Sequence, residues 1–138
     1  MKNTYSTNLS LPQVDLGLAF LRIGAGALML THGTPKLLKL FSSEEITFAD
    51  PFGLGMGITL ALVVFAEFIC SILVIIGLGT RVAVIPLLIT MSTAAFYIHA
   101  SDPFQRKELA LIHLLIFAVL LITGAGKYSL DFYWLKRK

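Results

Sequence analysis

The chain is poor in charged residues and in cysteine, and each shortage excludes a class of protein. Only 14% of its 138 residues are charged and 57% are hydrophobic, whereas a soluble domain has about 25% charged and about 45–50% apolar residues. Cys70 is the only cysteine, which excludes a disulfide scaffold and a dithiol enzyme. The basic residues are spread over chain ends and loops, so we expect no nucleic-acid binding. With a mean hydropathy of +0.84, the composition predicts an integral membrane protein.

Four apolar stretches predict four helices, at about residues 14–33, 56–78, 81–99 and 108–126. A helix needs about 20 residues to cross a hydrocarbon core of about 30 Å. The apolar runs are continuous rather than alternating, which favours helices over the strands of a barrel. The sequence therefore predicts one all-α domain over residues 1–138, an integral membrane four-helix bundle with the lipid bilayer as its surroundings.

The connections between these stretches differ in length. The second and third helices are almost contiguous, which predicts an antiparallel hairpin. The first connection, at about residues 33–55, is a long extramembrane loop. Its apolar run at 37–41 indicates either a short interfacial helix or a loop folded back onto the bundle.

Loop charge predicts the orientation of the chain. With four spans both termini lie on one side, which holds six basic residues: Lys2, Arg81, Lys127, Lys136, Arg137 and Lys138. The opposite side holds four: Lys36, Lys39, Arg106 and Lys107. The positive-inside rule then places both termini in the cytoplasm.

Charged residues inside the apolar stretches are candidates for a functional site. Arg22 and Glu67 would each cost roughly 2.5–3.5 kcal/mol at the bilayer centre. Their positions along the first two helices predict similar depths, so we expect an Arg22–Glu67 ion pair, with His113 close enough to hydrogen-bond the glutamate. Two interpretations remain open. The pair only fixes helix register, or it forms part of a proton path or a quinone or small-ligand site.

A second polar cluster is predicted at the non-cytoplasmic helix ends. It comprises His32, Lys36, His99, Asp102, Lys107 and Glu108. His32 and His99 are predicted to end the first and third helices, where they could face each other. Either these residues are ordinary solvated side chains at helix ends near the membrane interface, or they bind an anion or a quinone head group. On the third helix, Thr90, Thr93 and Tyr97 share a line that we expect to look inward.

Metal and haem sites are not indicated by the spacing of the three histidines. The chain contains no HxxxH, no CxxCH and no Cys–His pair, and these are spacings that haem and metal sites commonly use. We therefore expect no metal site and no tightly bound cofactor.

Several short segments, taken together, resemble the DoxX family of small bacterial membrane proteins. The first is LRIGAGALMLTHGTPKL, which carries Arg22, His32 and Lys36. The second is FAEFICSILVIIGLGTRVA, which carries Glu67 and Arg81. His99, the KELAL start of the fourth helix and GAGKYSLD follow in order. The likeness covers about residues 14–132.

The resemblance implies a four-helix protein of the cytoplasmic membrane and leaves its activity open. Similar proteins are described as subunits of terminal quinol oxidase or of thiosulfate:quinone oxidoreductase. One hypothesis is thus an accessory subunit of a quinone-linked oxidoreductase complex, with quinone as the ligand and other oxidoreductase subunits as partners. The alternative is a non-enzymatic small transporter or membrane-protein assembly factor. Catalysis by the chain itself and self-association are both left open.

Overall fold

The computed structural model describes residues 10–42 and 44–135, and over this range the chain is helical with no strand. The predicted all-α class is confirmed. Lys2 and residues 136–138, which enter the predicted charge balance, lie outside the described residues. The helices are α1 (Leu11–Leu40), α2 (Met56–Ile76), α3 (Thr80–Ile98), α4 (Phe104–Thr123) and α5 (Leu130–Leu135).

The first helix is longer than predicted at both ends. It begins after Ser10, whose backbone N–H donates to Oε1 of Gln13 at 3.4 Å. It continues through Pro35 to Leu40, so the apolar run at 37–41 belongs to α1 and forms no separate interfacial helix. Proline lacks the N–H of one helical hydrogen bond, so α1 continues past Pro35 without that bond. His32 consequently lies two turns inside α1 rather than at its end.

The α2–α3 connection is a tight turn at residues 77–79, which confirms the predicted antiparallel hairpin. Gly77 has φ +72° and Gly79 has φ +58°, a left-handed conformation that only glycine adopts without strain. Gly77 and Leu78 both donate their backbone N–H to the carbonyl of Leu73 at 2.9 Å. These bonds satisfy carbonyls that would otherwise be left free at the end of α2.

Two segments wind as π-helix inside the longer helices. They are Phe65–Cys70 in α2 and Ala94–Ile98 at the end of α3. A π-helical turn shifts the side chains that follow it around the helix axis and is found often at functional sites. Glu67 lies in the first segment, and His99 directly follows the second.

Three of the helices, α1, α2 and α3, are long and apolar enough to cross a membrane. The fourth falls short because Arg106, Lys107 and Glu108 lie in its first two turns, which leaves residues 109–123 without formal charge. The helices bury a shared core that includes Met29, Val74, Leu87 and Phe117. Their outward faces expose large apolar side chains, among them Phe20 at 72%. Such faces suit lipid rather than water.

Candidate functional site: a cavity beside the Lys36–Glu67 ion pair

The buried carboxylate of Glu67 pairs with Lys36. Nζ of Lys36 donates to Oε1 and Oε2 of Glu67, both at 2.6 Å. The glutamate side chain is 3% exposed and the lysine side chain is 30% exposed. The extension of α1 past Gly33 positions this lysine, because Lys36 would lie in a flexible loop if the helix ended where the sequence predicts.

Close backbone packing holds the two helices together at this pair. A Cβ atom on Gly33 would lie 2.7 Å from the carbonyl carbon and oxygen of Glu67. Gly26, seven residues earlier on α1, also lies close to α2. A Cβ atom on Gly26 would lie 2.6 Å from Cγ1 of Ile75. Arg22, Gly26, Met29 and Gly33 are all buried. The small residues on this stripe therefore let the helices approach each other closely.

The predicted Arg22–Glu67 ion pair is wrong. Nη2 of Arg22 donates instead to the backbone carbonyl of Tyr128 at 2.5 Å. Arg22 lies beside Gly77, at the end of α2, whereas Glu67 lies beside Gly33. Eleven residues of α1 separate these two levels, roughly 16 Å at 1.5 Å per residue. The sequence estimate failed because it took Val14 and Leu78 to lie at the same height.

Arg22 belongs to a separate cluster that ties the C-terminal segment to the helix ends. The carboxylate of Asp131 is the opposite charge acting on Arg22. Asp131 accepts hydrogen bonds from the backbone N–H groups of Gly79 at 2.7 Å and Thr80 at 3.0 Å. Its own N–H donates to the carbonyl of Gly77 at 2.9 Å. Asp131 thus holds the α2–α3 turn against α5, and Arg22 lies beside this junction with its hydrogen bond to Tyr128.

His113 does not contact Glu67 either, so the predicted hydrogen bond between them is also wrong. Its ring is 2% exposed, and Nδ1 lies 3.0 Å from the backbone carbonyl oxygen of Leu109. Its centroid lies 5.8 Å from that of Phe117. His113 is thus a buried residue of α4 whose ring forms a hydrogen bond within its own helix. The spacing of residues along the sequence does not reveal which of these partners a histidine takes.

A cavity of about 540 Å³ opens between α2 and α3 beside the Lys36–Glu67 pair; we call it the α2–α3 cavity. Its wall is mostly apolar, from Leu62 and Phe65 on α2 and Ile89 on α3. Thr59, Thr90, Thr93 and His99 are the other polar residues on the lining. Three residues of α3 are expected from the sequence to face inward. Thr90 and Thr93 line the cavity, whereas Tyr97 is 61% exposed. Residues of both π-helical segments contribute to the wall.

The loop before α2 covers part of this cavity through Phe48 and Phe52. Asp50 holds the loop in place by accepting from the backbone N–H of Leu54 at 3.0 Å and of Gly55 at 2.7 Å, and from Oγ1 of Thr59 at 2.8 Å. These donors, the Thr59 hydroxyl above all, lower the pKa of the Asp50 carboxyl below its ordinary value. The carboxylate thereby holds the turn that leads into α2.

His99 brings a second polar group to the same cavity. Its Nδ1 lies 2.7 Å from Oδ2 of Asp102, and Nη1 of Arg106 lies 3.7 Å from that oxygen. The hydrogen bond with His99, and to a smaller extent the charge of Arg106, lowers the pKa of the Asp102 carboxyl. The ring is held through Nδ1, so Nε2 is the nitrogen left for another partner.

The structure brings together only part of the second predicted cluster. Lys36 and His99 share the α2–α3 cavity, but His32 and Glu108 are exposed and are not among its lining residues. His32 projects from α1 two turns before its end, and Glu108 projects from the second turn of α4. Within residues 10–42 and 44–135, no three histidine, cysteine or acidic side chains cluster as metal ligands would.

Sequence reasoning missed two residues of these networks, Asp50 and Asp131. Asp50 precedes the turn PFGLG, and aspartate side chains commonly accept hydrogen bonds from nearby backbone N–H groups in turns. Asp131 ends the segment GAGKYSLD, which the sequence analysis used only as a mark of resemblance. Its partners are backbone N–H groups 51 and 52 residues away along the chain, so no local pattern could have identified them.

The part of the chain that forms the cavity is similar to a known protein family. A family model named DoxX matches residues 17–100, more than half of the chain. The chain belongs to the DoxX family. All the lining residues of the α2–α3 cavity, from Lys36 to His99, fall within the matched range. The predicted resemblance is thereby confirmed.

One relative extends the likeness over most of the chain. An uncharacterized protein of Haemophilus influenzae is 34% identical over 124 residues, which cover 83% of this chain and 87% of the relative. No solved structure matches the chain. The name of this relative states no activity.

Proposed function

We propose that this DoxX-family protein binds a quinone in the α2–α3 cavity and acts as an accessory membrane subunit of a quinone-linked oxidoreductase complex. The observation that carries the proposal is an apolar cavity with a buried ion pair on its wall. Ligand sites are commonly about 300–1,000 Å³, mostly apolar, with few polar groups that fix orientation. The volume of about 540 Å³ and the lining fit that description.

The charge balance of the cavity favours a neutral head group over an anion. Lys36 is neutralised by Glu67 at 2.6 Å, and the other acidic group nearby, Asp102, lies behind His99. A fatty-acid carboxylate would therefore meet no unpaired positive charge. A quinone ring carries neutral carbonyl groups, which need only a hydrogen-bond donor.

Lys36 can supply that donor without leaving Glu67. An ammonium group has three N–H donors, and two of them are accounted for by Oε1 and Oε2 of the glutamate. The third is free to meet a ligand carbonyl at the cavity wall. The half-exposed side chains of Leu62 and Phe65 would lie along the ring and the start of an isoprenoid tail, whose remainder extends into lipid.

The same proposal includes four membrane spans in the inner membrane, with both termini in the cytoplasm. Helix α4 exposes Leu115 at 68% and Ile122 at 77% on its outer face, a surface that suits lipid, and its charged first turn would lie at the interface. Among the described basic residues, Arg81 and Lys127 then lie on the side of the termini.

A reporter fused after Lys138 should be active only if it is of the cytoplasmic kind. Activity of a periplasmic reporter there would overturn the orientation.

The binding proposal is tested by calorimetric titration of decylubiquinone into the purified protein in nanodiscs. We expect saturable binding to the wild type, and a loss of at least tenfold in affinity for Ala94→Phe, because the larger side chain fills a cavity wall position. The matched control is Ile122→Phe, on the exposed face of α4, which should bind as the wild type does. Absence of binding to the wild type would overturn the proposal and favour the transporter or assembly-factor alternative.

Association with a redox partner is tested separately. Affinity-tagged protein isolated from its native membranes should co-purify with subunits that oxidise or reduce quinone. The purified chain alone should show no Soret band, because the proposal requires no haem. A stoichiometric haem signal would contradict this part of the proposal.

A further inference from the structure

We propose that the α2–α3 cavity binds the reduced, hydroquinone form of its ligand more tightly than the oxidised quinone, and that His99 is the residue that distinguishes them. The inference rests on the proposed function, since it names the redox form that the same cavity prefers. It follows from the different hydrogen-bonding roles of Lys36 and His99.

The contact with Asp102 fixes the tautomer of His99. A carboxylate can only accept hydrogen bonds, so the distance of 2.7 Å between Nδ1 of His99 and Oδ2 of Asp102 places the ring hydrogen on Nδ1. In neutral imidazole the other nitrogen is then an acceptor. His99 lines the cavity, and with Nδ1 held by Asp102 the atom that it can offer to a bound molecule is the acceptor Nε2.

The two redox forms differ in what they offer this acceptor. A hydroquinone carries two hydroxyl groups, each of which can donate. A quinone carries two carbonyl groups, which only accept, so a quinone oxygen facing Nε2 leaves both atoms without a hydrogen. The site therefore forms one hydrogen bond more with the hydroquinone than with the quinone.

Lys36 does not share in this discrimination. Its third N–H can donate equally well to a carbonyl oxygen or to a hydroxyl oxygen, because both accept. The charge of Lys36 is already balanced by Glu67. The redox preference thus depends on His99, with Asp102 as the positioning residue behind it.

The test compares the binding of decylubiquinol and decylubiquinone to the full chain in nanodiscs, by calorimetry without oxygen. The buffer is held at about pH 8.5, above the ordinary histidine range. One net hydrogen bond corresponds to a change of about fivefold in an equilibrium constant, so we expect the quinol to bind at least that much more tightly. Equal dissociation constants for the two forms would overturn the inference but leave the proposed function intact. Failure of both forms to bind would overturn the proposed function itself.

Three variants assign the preference to His99. His99→Phe keeps a ring but loses the acceptor, so both forms should bind with one dissociation constant. His99→Gln, whose amide can donate or accept, should shrink the preference and serves if the phenylalanine variant does not fold. His32→Phe, at an exposed position outside the cavity lining, is the matched control and should keep the full preference. A preference that survives in His99→Phe, or that stays at full size in His99→Gln, would contradict the assignment.

The role of Asp102 is tested by the ratio of the two affinities rather than by either affinity alone. In Asp102→Asn the amide can donate to Nδ1, which allows the hydrogen to move to Nε2 and turns the acceptor into a donor. The preference should then fall to none or reverse toward the quinone. A residue that only supported the loop would weaken both forms by the same factor, and that result would remove Asp102 from the proposal.

Discussion

The backbone of Gly33 lies directly against the backbone of Glu67. A Cβ atom at position 33 would be 2.7 Å from both the carbonyl carbon and the carbonyl oxygen of the glutamate and 2.9 Å from the nitrogen of Phe68. These are backbone atoms, which cannot rotate away as a flexible side chain would. The contact fixes the height of α1 against α2 and, with it, the position of Lys36 beside the cavity.

We therefore expect Gly33→Ala to destabilise the protein by about 1–3 kcal/mol, the usual cost of overpacking. The measurement is the midpoint of thermal unfolding in detergent. Gly24→Ala is the matched control, because the same helix leaves open space around that position. Alanine there should be neutral or stabilising by about 0.5–1 kcal/mol. Equal effects of the two substitutions would mean that α1 and α2 are not in close contact at Glu67.

The Lys36–Glu67 pair should show a strong coupling energy in a double-mutant cycle. Lys36→Met leaves a carboxylate that is 3% exposed without its partner, at a cost of roughly 3 kcal/mol, the low end for a broken buried pair. Glu67→Gln should cost less, because the lysine, at 30% exposure, can turn toward solvent. The double variant should recover much of the loss, since no buried charge remains unpaired.

Arg22 provides the contrast for that cycle. Its guanidinium binds the Tyr128 carbonyl at the far end of α2, so the effects of Arg22→Met and Glu67→Gln should add within about 0.5 kcal/mol. Unfolding midpoints of the two single variants and the double variant decide this. A coupling energy between Arg22 and Glu67 larger than that between Lys36 and Glu67 would contradict the pairing described here.

The class of the fold and the buried stripe of α1 could be predicted because both depend on local composition. Apolar length identifies the helices, and the spacing of Arg22, Gly26, Met29 and Gly33 places them on one face. The partner of each charge could not be predicted, because it depends on the relative heights of two helices. The α2 helix ends at Ile76 while α1 begins 11 residues before Arg22, and no single sequence gives that offset.

The end of α1 illustrates a second limit. Gly33, Thr34 and Pro35 are typical of a helix end, and the sequence analysis ended the helix there. In the structure Gly33 is used for close packing and Pro35 is tolerated inside the helix. Tertiary contact with Glu67 thus overrides the local signal. The extra turns carry Lys36 to the cavity, where it pairs with the glutamate for which the sequence predicted Arg22 as the partner.

Gly77 and Gly79 allow the effect of a steric contact to be separated from backbone strain. Both have positive φ, +72° and +58°, so alanine at either costs about 1–3 kcal/mol in strain. A Cβ at Gly77 would also collide with Nη1 of Arg22, and it would lie 2.5 Å from Cβ of Ser129, whereas Gly79 has open space. Gly77→Ala should therefore unfold at a clearly lower temperature than Gly79→Ala. The opposite order would mean that Arg22 does not lie beside the α2–α3 turn.

The contribution of Asp50 to stability should depend on pH in a defined direction. Hydrogen bonds from Thr59, Gly55 and Leu54 lower the pKa of the carboxyl in the folded protein, while the unfolded chain keeps a value of about 3.9. As the pH falls, the unfolded chain takes up this proton first, so the stabilisation is present in full above about pH 5 and is lost as the pH falls through the lower, folded pKa. Asp50→Asn should therefore unfold at a lower temperature than the wild type at pH about 7, and the two midpoints should converge below about pH 4.

Glu45→Gln, an exposed position in the same loop, is the control and should follow the wild type throughout. A difference between Asp50→Asn and wild type that stays constant or widens down to about pH 3 would show that the carboxylate does not hold the turn before α2, and the loop over the cavity would need another anchor.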